Sequence, residues 1–133
     1  MTIAKVYIIL FLFNSMKKVV VIGGGFAGSY AAKNLEDKFD VVLIDTTDYF
    51  EYTPGILRII IKPENLKKIQ VRHEEYLKKS KIVIGFVKEI SNQFVKVNGK
   101  KIDYDYLVIC SGSDYTSPIK ELGVVIVNRI KSL

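Results

Sequence analysis

The feature that most constrains this chain is a cluster of glycines set between two apolar runs. Lys17 to Asp45 reads KKVVVIGGGFAGSYAAKNLEDKFDVVLID. Val19 to Ile22 is short, wholly apolar and β-branched, the pattern of a strand buried on both faces. Glycines follow at once, spaced Gly23-x-Gly25-x-x-Gly28, with Gly24 between the first two. The pattern then predicts a helix from Gly25 to about Asp37, with Ala27, Ala31, Ala32 and Leu35 on one face. A second β-branched run, Val41 to Ile44, ends on Asp45.

Each of these residues has a physical job. Gly23 lets the chain turn sharply from strand into helix, Gly25 lets a pyrophosphate approach the backbone, and Gly28 lets helix and strand pack closely. The free N–H groups and the positive dipole end of the helix favour phosphate charge. Asp45 lies 17 residues after Gly28, where a carboxylate can accept hydrogen bonds from a ribose 2′-hydroxyl. The bland alternative is a glycine turn in a plain βαβ unit. A fingerprint that follows a strand, opens a helix and returns to an acid favours a dinucleotide site instead. The acid disfavours a 2′-phosphate, which puts FAD or NAD ahead of NADP; the glycines alone do not choose between those two.

The remaining chain is large enough for one core. It has 133 residues, 49% of them hydrophobic, too many for a disordered segment. The net charge of +6 is spread along the chain among acids. Its most basic stretch, Lys62 to Lys81, reads as a solvated helix face, so no nucleic-acid partner is expected. Cys110 is the single cysteine, which excludes an internal disulfide and suits a reducing, cytoplasmic setting. Residues 1–15 stand apart as an apolar extension. Val6 to Phe13 has eight apolar residues behind Lys5, against the roughly 20 needed to span a bilayer. Three readings stay open: sequence upstream of a true start at Met16, a segment giving peripheral membrane contact, or a signal lacking a small-x-small cleavage site.

Thr46 to Gly55 reads as a polar and aromatic loop ending in a Pro-Gly turn signal. Arg58 follows in the apolar run Ile56 to Ile61 and is either a phosphate ligand or a surface charge. Pro63 to Lys79 reads as one amphipathic helix, with Leu66, Ile69, Tyr76 and Leu77 available for burial and His73 solvated in its charged part. No metal-ligand set accompanies His73. From Lys81 the period shortens: Ile82 to Ile84, Phe86 to Ile90, Phe94 to Val97, Lys101 to Tyr104 and Tyr106 to Cys110 read as strands. Asn98-Gly99 is a strong hairpin signal. The fold class is α/β: a Rossmann-like parallel sheet with a GxGxxG βαβ unit and a small antiparallel β-meander insert.

At this point Lys17 to Ser113 resembles the N-terminal FAD-binding part of the pyridine nucleotide-disulfide oxidoreductase superfamily. Within it, the chain looks like type II NADH dehydrogenases and the ferroptosis-suppressor and apoptosis-inducing-factor-like NAD(P)H:quinone oxidoreductases. VVVIGGGFAG is similar to the family's FAD fingerprint, VVLID to its second strand, and DYFEYTPGIL to the loop that approaches the flavin. KKIDYDYLVICSGS resembles the family's YDYLVIATGS segment. The meander before that strand favours FAD over NAD.

The resemblance implies that backbone N–H groups around Gly23, Gly24, Gly25, Phe26 and Ala27 hold the pyrophosphate, with Gly28 closing the turn. It implies that Asp45 binds the adenosine ribose, Arg58 helps hold FAD, the Val87 backbone meets the adenine edge, and Gly112 passes close to the cofactor. Cys110 and Ser111 stand where relatives have Ala and Thr, so Cys110 reads as packing rather than nucleophile. No Cys-x4-Cys pair follows the second strand, which disfavours the disulfide-reductase branch. Family members also use a second GxGxxG domain to deliver hydride and a C-terminal Gly-Asp segment; this sequence has one GxGxxG. The expected domains are therefore the extension 1–15, a partial FAD-binding domain 16–117, and a tail 118–133. The expected function is the FAD-binding portion of an NADH:quinone-type flavoprotein, incomplete alone and completed by a second chain or by self-association. The alternative is a non-catalytic module binding FAD or NAD.

Overall fold

The computed structural model describes residues 16–113. The extension at 1–15, the tail at 118–133 and the last four residues of the expected domain lie outside the described residues. Four parallel strands form the central sheet: β1 (Lys18–Ile22), β2 (Asp40–Asp45), β5 (Lys81–Ile84) and β9 (Tyr106–Ile109). Their spatial order is β5-β2-β1-β9. Between β1 and β2 runs helix α1 (Phe26–Leu35). The register is regular, Val19 opposite Val41 on one side and Tyr106 on the other.

Alternation along these strands divides the core in two. Val19, Val21, Val41 and Leu43 face Ala32 of α1 and Leu77, with Leu35, Phe39 and Tyr76 packed around them. Val20, Val42 and Ile44 face the other way, onto Val95 and Val97. Those two valines belong to β7 (Phe94–Val97), the middle strand of an antiparallel meander with β6 (Val87–Ile90) and β8 (Lys100–Asp103). One face of the sheet is thus covered by a helix and the other by the meander insert, which explains the wholly apolar strands. Asn98 and Gly99 turn β7 into β8 with φ of 51° and 75°, as the hairpin signal requires. On α1, Ala32 is buried but Ala27 is exposed, so the apolar stripe begins later than the sequence suggested.

Two expectations fail between β2 and β5. The presumed loop 46–55 contains a strand, β3 (Tyr49–Glu51), and a 3₁₀ turn, Thr53–Gly55, leading into α2 (Ile56–Ile61). The single helix expected over Pro63 to Lys79 is four short pieces: a 3₁₀ turn (Pro63–Asn65), α3 (Leu66–Ile69), β4 (Gln70–Arg72) and α4 (His73–Tyr76). The cause is a partner distant in sequence. β4 pairs antiparallel with β3, Phe50 opposite Val71. At the ends of this ribbon the Tyr52 N–H donates to the Ile69 carbonyl, and the His73 N–H donates to the Asp48 carbonyl. Those bonds replace the helical ladder over three residues. Burial of Ile69 and Leu77 survives the change of backbone.

Candidate functional site

The fingerprint builds its corner by backbone contact. Gly23 has φ +96°, and a Cβ there would strike the Cys110 carbonyl. A Cβ on Gly28 would strike the Gly23 carbonyl and lie 3.3 Å from Cys110 Cβ. These two glycines serve the fold: α1 leaves β1 at van der Waals distance from the end of β9. The Gly23 N–H is also spoken for, donating to the Ile44 carbonyl at 2.7 Å. That amide holds the sheet together and is not free for a phosphate.

Gly25 is different. It caps α1 in an extended conformation, φ −73°, and a Cβ there meets nothing within 4 Å. The first intrahelical bond runs from the Ser29 N–H to the Gly25 carbonyl. The amides of Phe26, Ala27 and Gly28 precede that bond, so they are the orphan donors of a helix start. Open space beside unspent N–H groups and a positive dipole end suits an anion. The residues present therefore fit a pyrophosphate at Gly25, Phe26 and Ala27.

A cavity of about 560 Å³ opens beside this corner, at the C-terminal ends of β1, β2 and β9. Gly23, Asp45 and Val87 all line it, with Phe86 and Ser111. A crevice at the carboxyl ends of parallel strands is where open α/β sheets take their ligands. Three of the expected site residues are thus brought to one cavity. Arg58 is not among its lining residues; it lies exposed on α2. Gly112, φ +70°, lies exposed just after β9, next to the lining Ser111.

Asp45 is tightly held. Its Oδ1 accepts the Thr46 N–H at 2.8 Å, and its Oδ2 accepts the Thr47 hydroxyl at 3.2 Å. Its Oδ2 also lies 2.9 Å from His73 Nε2. Burial alone would push this carboxyl up, but His73 and the backbone donors of Thr46 and Gly24 outweigh it and hold it below the usual carboxylate range. A Cβ on Gly24 would strike Asp45 Oδ2 and the His73 ring, so the middle glycine makes room for this pair.

His73 overturns the expectation of a solvated side chain: it is 0% exposed. The β3–β4 ribbon carries it under the fingerprint, and its Nδ1 lies 2.6 Å from the Tyr76 hydroxyl. Ser29 and Tyr76 continue the chain of contacts. Sequence reasoning missed this group because it assigned 73 to the charged side of a helix that does not form. The available signal was one histidine three residues before a tyrosine, and it was weak.

Residues 17–130 match the family described as pyridine nucleotide-disulphide oxidoreductase. Apoptosis-inducing factor homolog B of Dictyostelium discoideum is 38% identical over 108 residues, 80% of this chain and 28% of that protein. The mitochondrial external alternative NAD(P)H-ubiquinone oxidoreductase B2 of Arabidopsis thaliana is 34% identical over 115 residues, 73% of this chain and 20% of that protein. Among solved structures, the sulfide:quinone oxidoreductase of Aquifex aeolicus superposes with a TM-score of 0.65 at 30% identity, covering 75% of this chain and 25% of that one. The chain therefore spans less than a third of the length of each of these relatives. Among the described residues no helix is long and apolar enough to cross a membrane. The chain belongs to the pyridine nucleotide-disulphide oxidoreductase family and is related to NAD(P)H:quinone oxidoreductases.

Proposed function

From that membership we propose that this chain is the FAD-binding portion of an NAD(P)H-dependent flavoprotein oxidoreductase of the NADH:quinone type. The observation that carries the reading is the open corner at Gly25: an uncrowded glycine at a helix start, beside a cavity lined by Gly23, Asp45 and Val87. In this reading the amides of Gly25, Phe26 and Ala27 hold the pyrophosphate. Asp45 takes a ribose hydroxyl, and the Val87 backbone meets the adenine edge. Gly112, beyond the end of β9, leaves room for the cofactor, and Arg58 answers the phosphate charge from α2. When bound, the flavin would supply the redox chemistry, and these residues would bind and orient it.

The sequence has one GxGxxG, and in this reading FAD occupies it. Hydride delivery needs a donor site of its own, so turnover depends on a complementary dinucleotide-binding unit from another stretch of polypeptide. No side chain here is assigned an acid or base role in the redox step.

The test is the visible absorbance of the purified chain with and without added FAD. A flavin band that stays with the protein through gel filtration supports the reading. Retention of NAD without flavin moves the site to the alternative, a non-catalytic NAD-binding module. No nucleotide retained from excess FAD or NAD sinks both.

A further inference from the structure

Beneath the ribose end of the cavity lies a continuous, part-buried chain of polar groups centred on the buried His73. Ser29 Oγ donates to the Gly24 carbonyl at 2.7 Å. The Ser29 and Tyr76 hydroxyls lie 2.7 Å apart, Tyr76 lies 2.6 Å from His73 Nδ1, and His73 Nε2 lies 2.9 Å from Asp45 Oδ2. The chain runs carbonyl, serine, tyrosine, histidine, carboxylate. It joins α1, α4 and β2.

Both ends of this chain only accept. The carbonyl carries no hydrogen, and the Asp45 carboxyl, which accepts the N–H groups of Thr46 and Gly24 apart from anything His73 does, is a carboxylate. Four contacts therefore need four hydrogens. Ser29 and Tyr76 each supply one. A neutral imidazole supplies one more, and an imidazolium supplies two. With a neutral ring, one of the four part-buried contacts would set two lone pairs at hydrogen-bond distance with no hydrogen between them, which costs stability. With the imidazolium every contact has its hydrogen, and the positive ring faces the Asp45 carboxylate directly. The other charged groups beside His73 lie at the surface: Arg72 pairs with Asp48 at 3.3 Å and with Glu74 at 2.9 Å. Glu75, also on α4, is exposed.

We infer that His73 is held as an imidazolium by this chain and acts as the positioning residue for Asp45. The ring occupies Oδ2, fixes the carboxylate plane, and leaves Oδ1 toward the nucleotide. The Asp45–His73 pair then carries no net charge at the ribose. This rests on Asp45 as the ribose acid, and it goes beyond that reading by giving the acid a partner with a defined proton content.

His73 is the only histidine in the sequence, so its ring nitrogens can be read by nitrogen-labelled NMR without ambiguity. At neutral pH both should show the protonated signature in the full chain. Ser29→Ala removes a hydroxyl two contacts away. It frees the Tyr76 O–H to donate to Nδ1 and leaves two contacts, Tyr76–His73 and His73–Asp45, for which two hydrogens suffice; one ring nitrogen should change to the unprotonated signature at the same pH. Tyr76→Phe, which deletes the Nδ1 partner, should do the same and serves as the second variant if Ser29→Ala disturbs the fold. A wild-type ring with one bare nitrogen overturns the inference, and so does an imidazolium that persists in both variants. In FAD titrations His73→Gln, which offers a neutral donor, should bind about tenfold more weakly; unchanged affinity removes the positioning role. A wild-type chain that binds no FAD removes the ribose reading and this role with it, while the ring nitrogens still report the proton count.

Discussion

The two ends of β2 each have a carboxylate close by, and the two are used differently. Glu36, just before the strand, is 4% exposed. Its Oε2 accepts the N–H groups of Lys78, Lys79 and Ser80 and the Ser80 hydroxyl, and its Oε1 takes the Lys33 ammonium at 2.7 Å. Burial alone would push this carboxyl up, but Lys33 and the backbone donors prevail and bring it down to about 2. These donors are all the chain's own, and they tie the end of α1 to the segment entering β5. Asp45, at the other end, is also ringed by donors, yet its side chain keeps 15% exposure and lines the cavity. The difference separates a clasp from a candidate binding group: both acids are depressed, and of the two only Asp45 has an open face toward the cavity.

The glycines of the fingerprint divide in the same way, and they offer the largest effect. Gly28→Val should cost more than about 4 kcal/mol or prevent folding, because its Cβ meets backbone. Urea denaturation reads this, and near wild-type stability would show that the helix–strand contact is looser than described. Glu36→Ala comes next, at about 3 kcal/mol, since three N–H groups lose their acceptor. A loss below about 1 kcal/mol would remove the clasp.

Acid should weaken the clasp in a defined window. The folded carboxyl sits near 2 and its ordinary value is 4.5. A depressed group stabilises the fold above its unfolded value, and that contribution is lost as pH falls from 4.5 toward 2. The loss amounts to roughly 3 kcal/mol for this residue. In Glu36→Ala that part of the slope should vanish; an identical acid slope in both proteins would assign it elsewhere.

Gly25→Val reverses the pattern of Gly28→Val. Stability should change by less than about 1 kcal/mol, since the Cβ enters open space. FAD affinity should fall at least about 100-fold as the pyrophosphate is pushed from the amides. Binding equal to wild type would move the site away from the helix start. The smallest effect is expected from Asp45→Asn, about a tenfold loss of FAD affinity, because an amide still accepts from one side. Calorimetry reads both variants, and a loss for Asp45→Asn as large as for Gly25→Val would rank the ribose contact above the phosphate one.

The strands of the central sheet and the meander were legible in the sequence because their signals are local. Val19 to Ile22 and Val41 to Ile44 are apolar at every position, and Asn98-Gly99 marks its own turn. The span from Tyr49 to Tyr76 was not legible. Its first part reads as a loop and Pro63 to Lys79 follows a helical period well enough to suggest one helix, and the β3–β4 pairing that breaks both readings joins positions about twenty apart. His73 went with that error: a side chain set among Arg72, Glu74 and Glu75 looks solvated until the strand before it pairs with β3 and carries the ring under the fingerprint.

The sequence by itself determined the βαβ corner, the acid at the end of β2 and the antiparallel insert, since glycine spacing and side-chain period act over a few residues and need no distant partner. Only the tertiary structure decided which glycines serve packing and which stay open. It also gave the meander one whole face of the sheet, and it placed a buried histidine behind Asp45. Those outcomes depend on atoms far apart in the chain meeting in space, and no local pattern encodes that meeting.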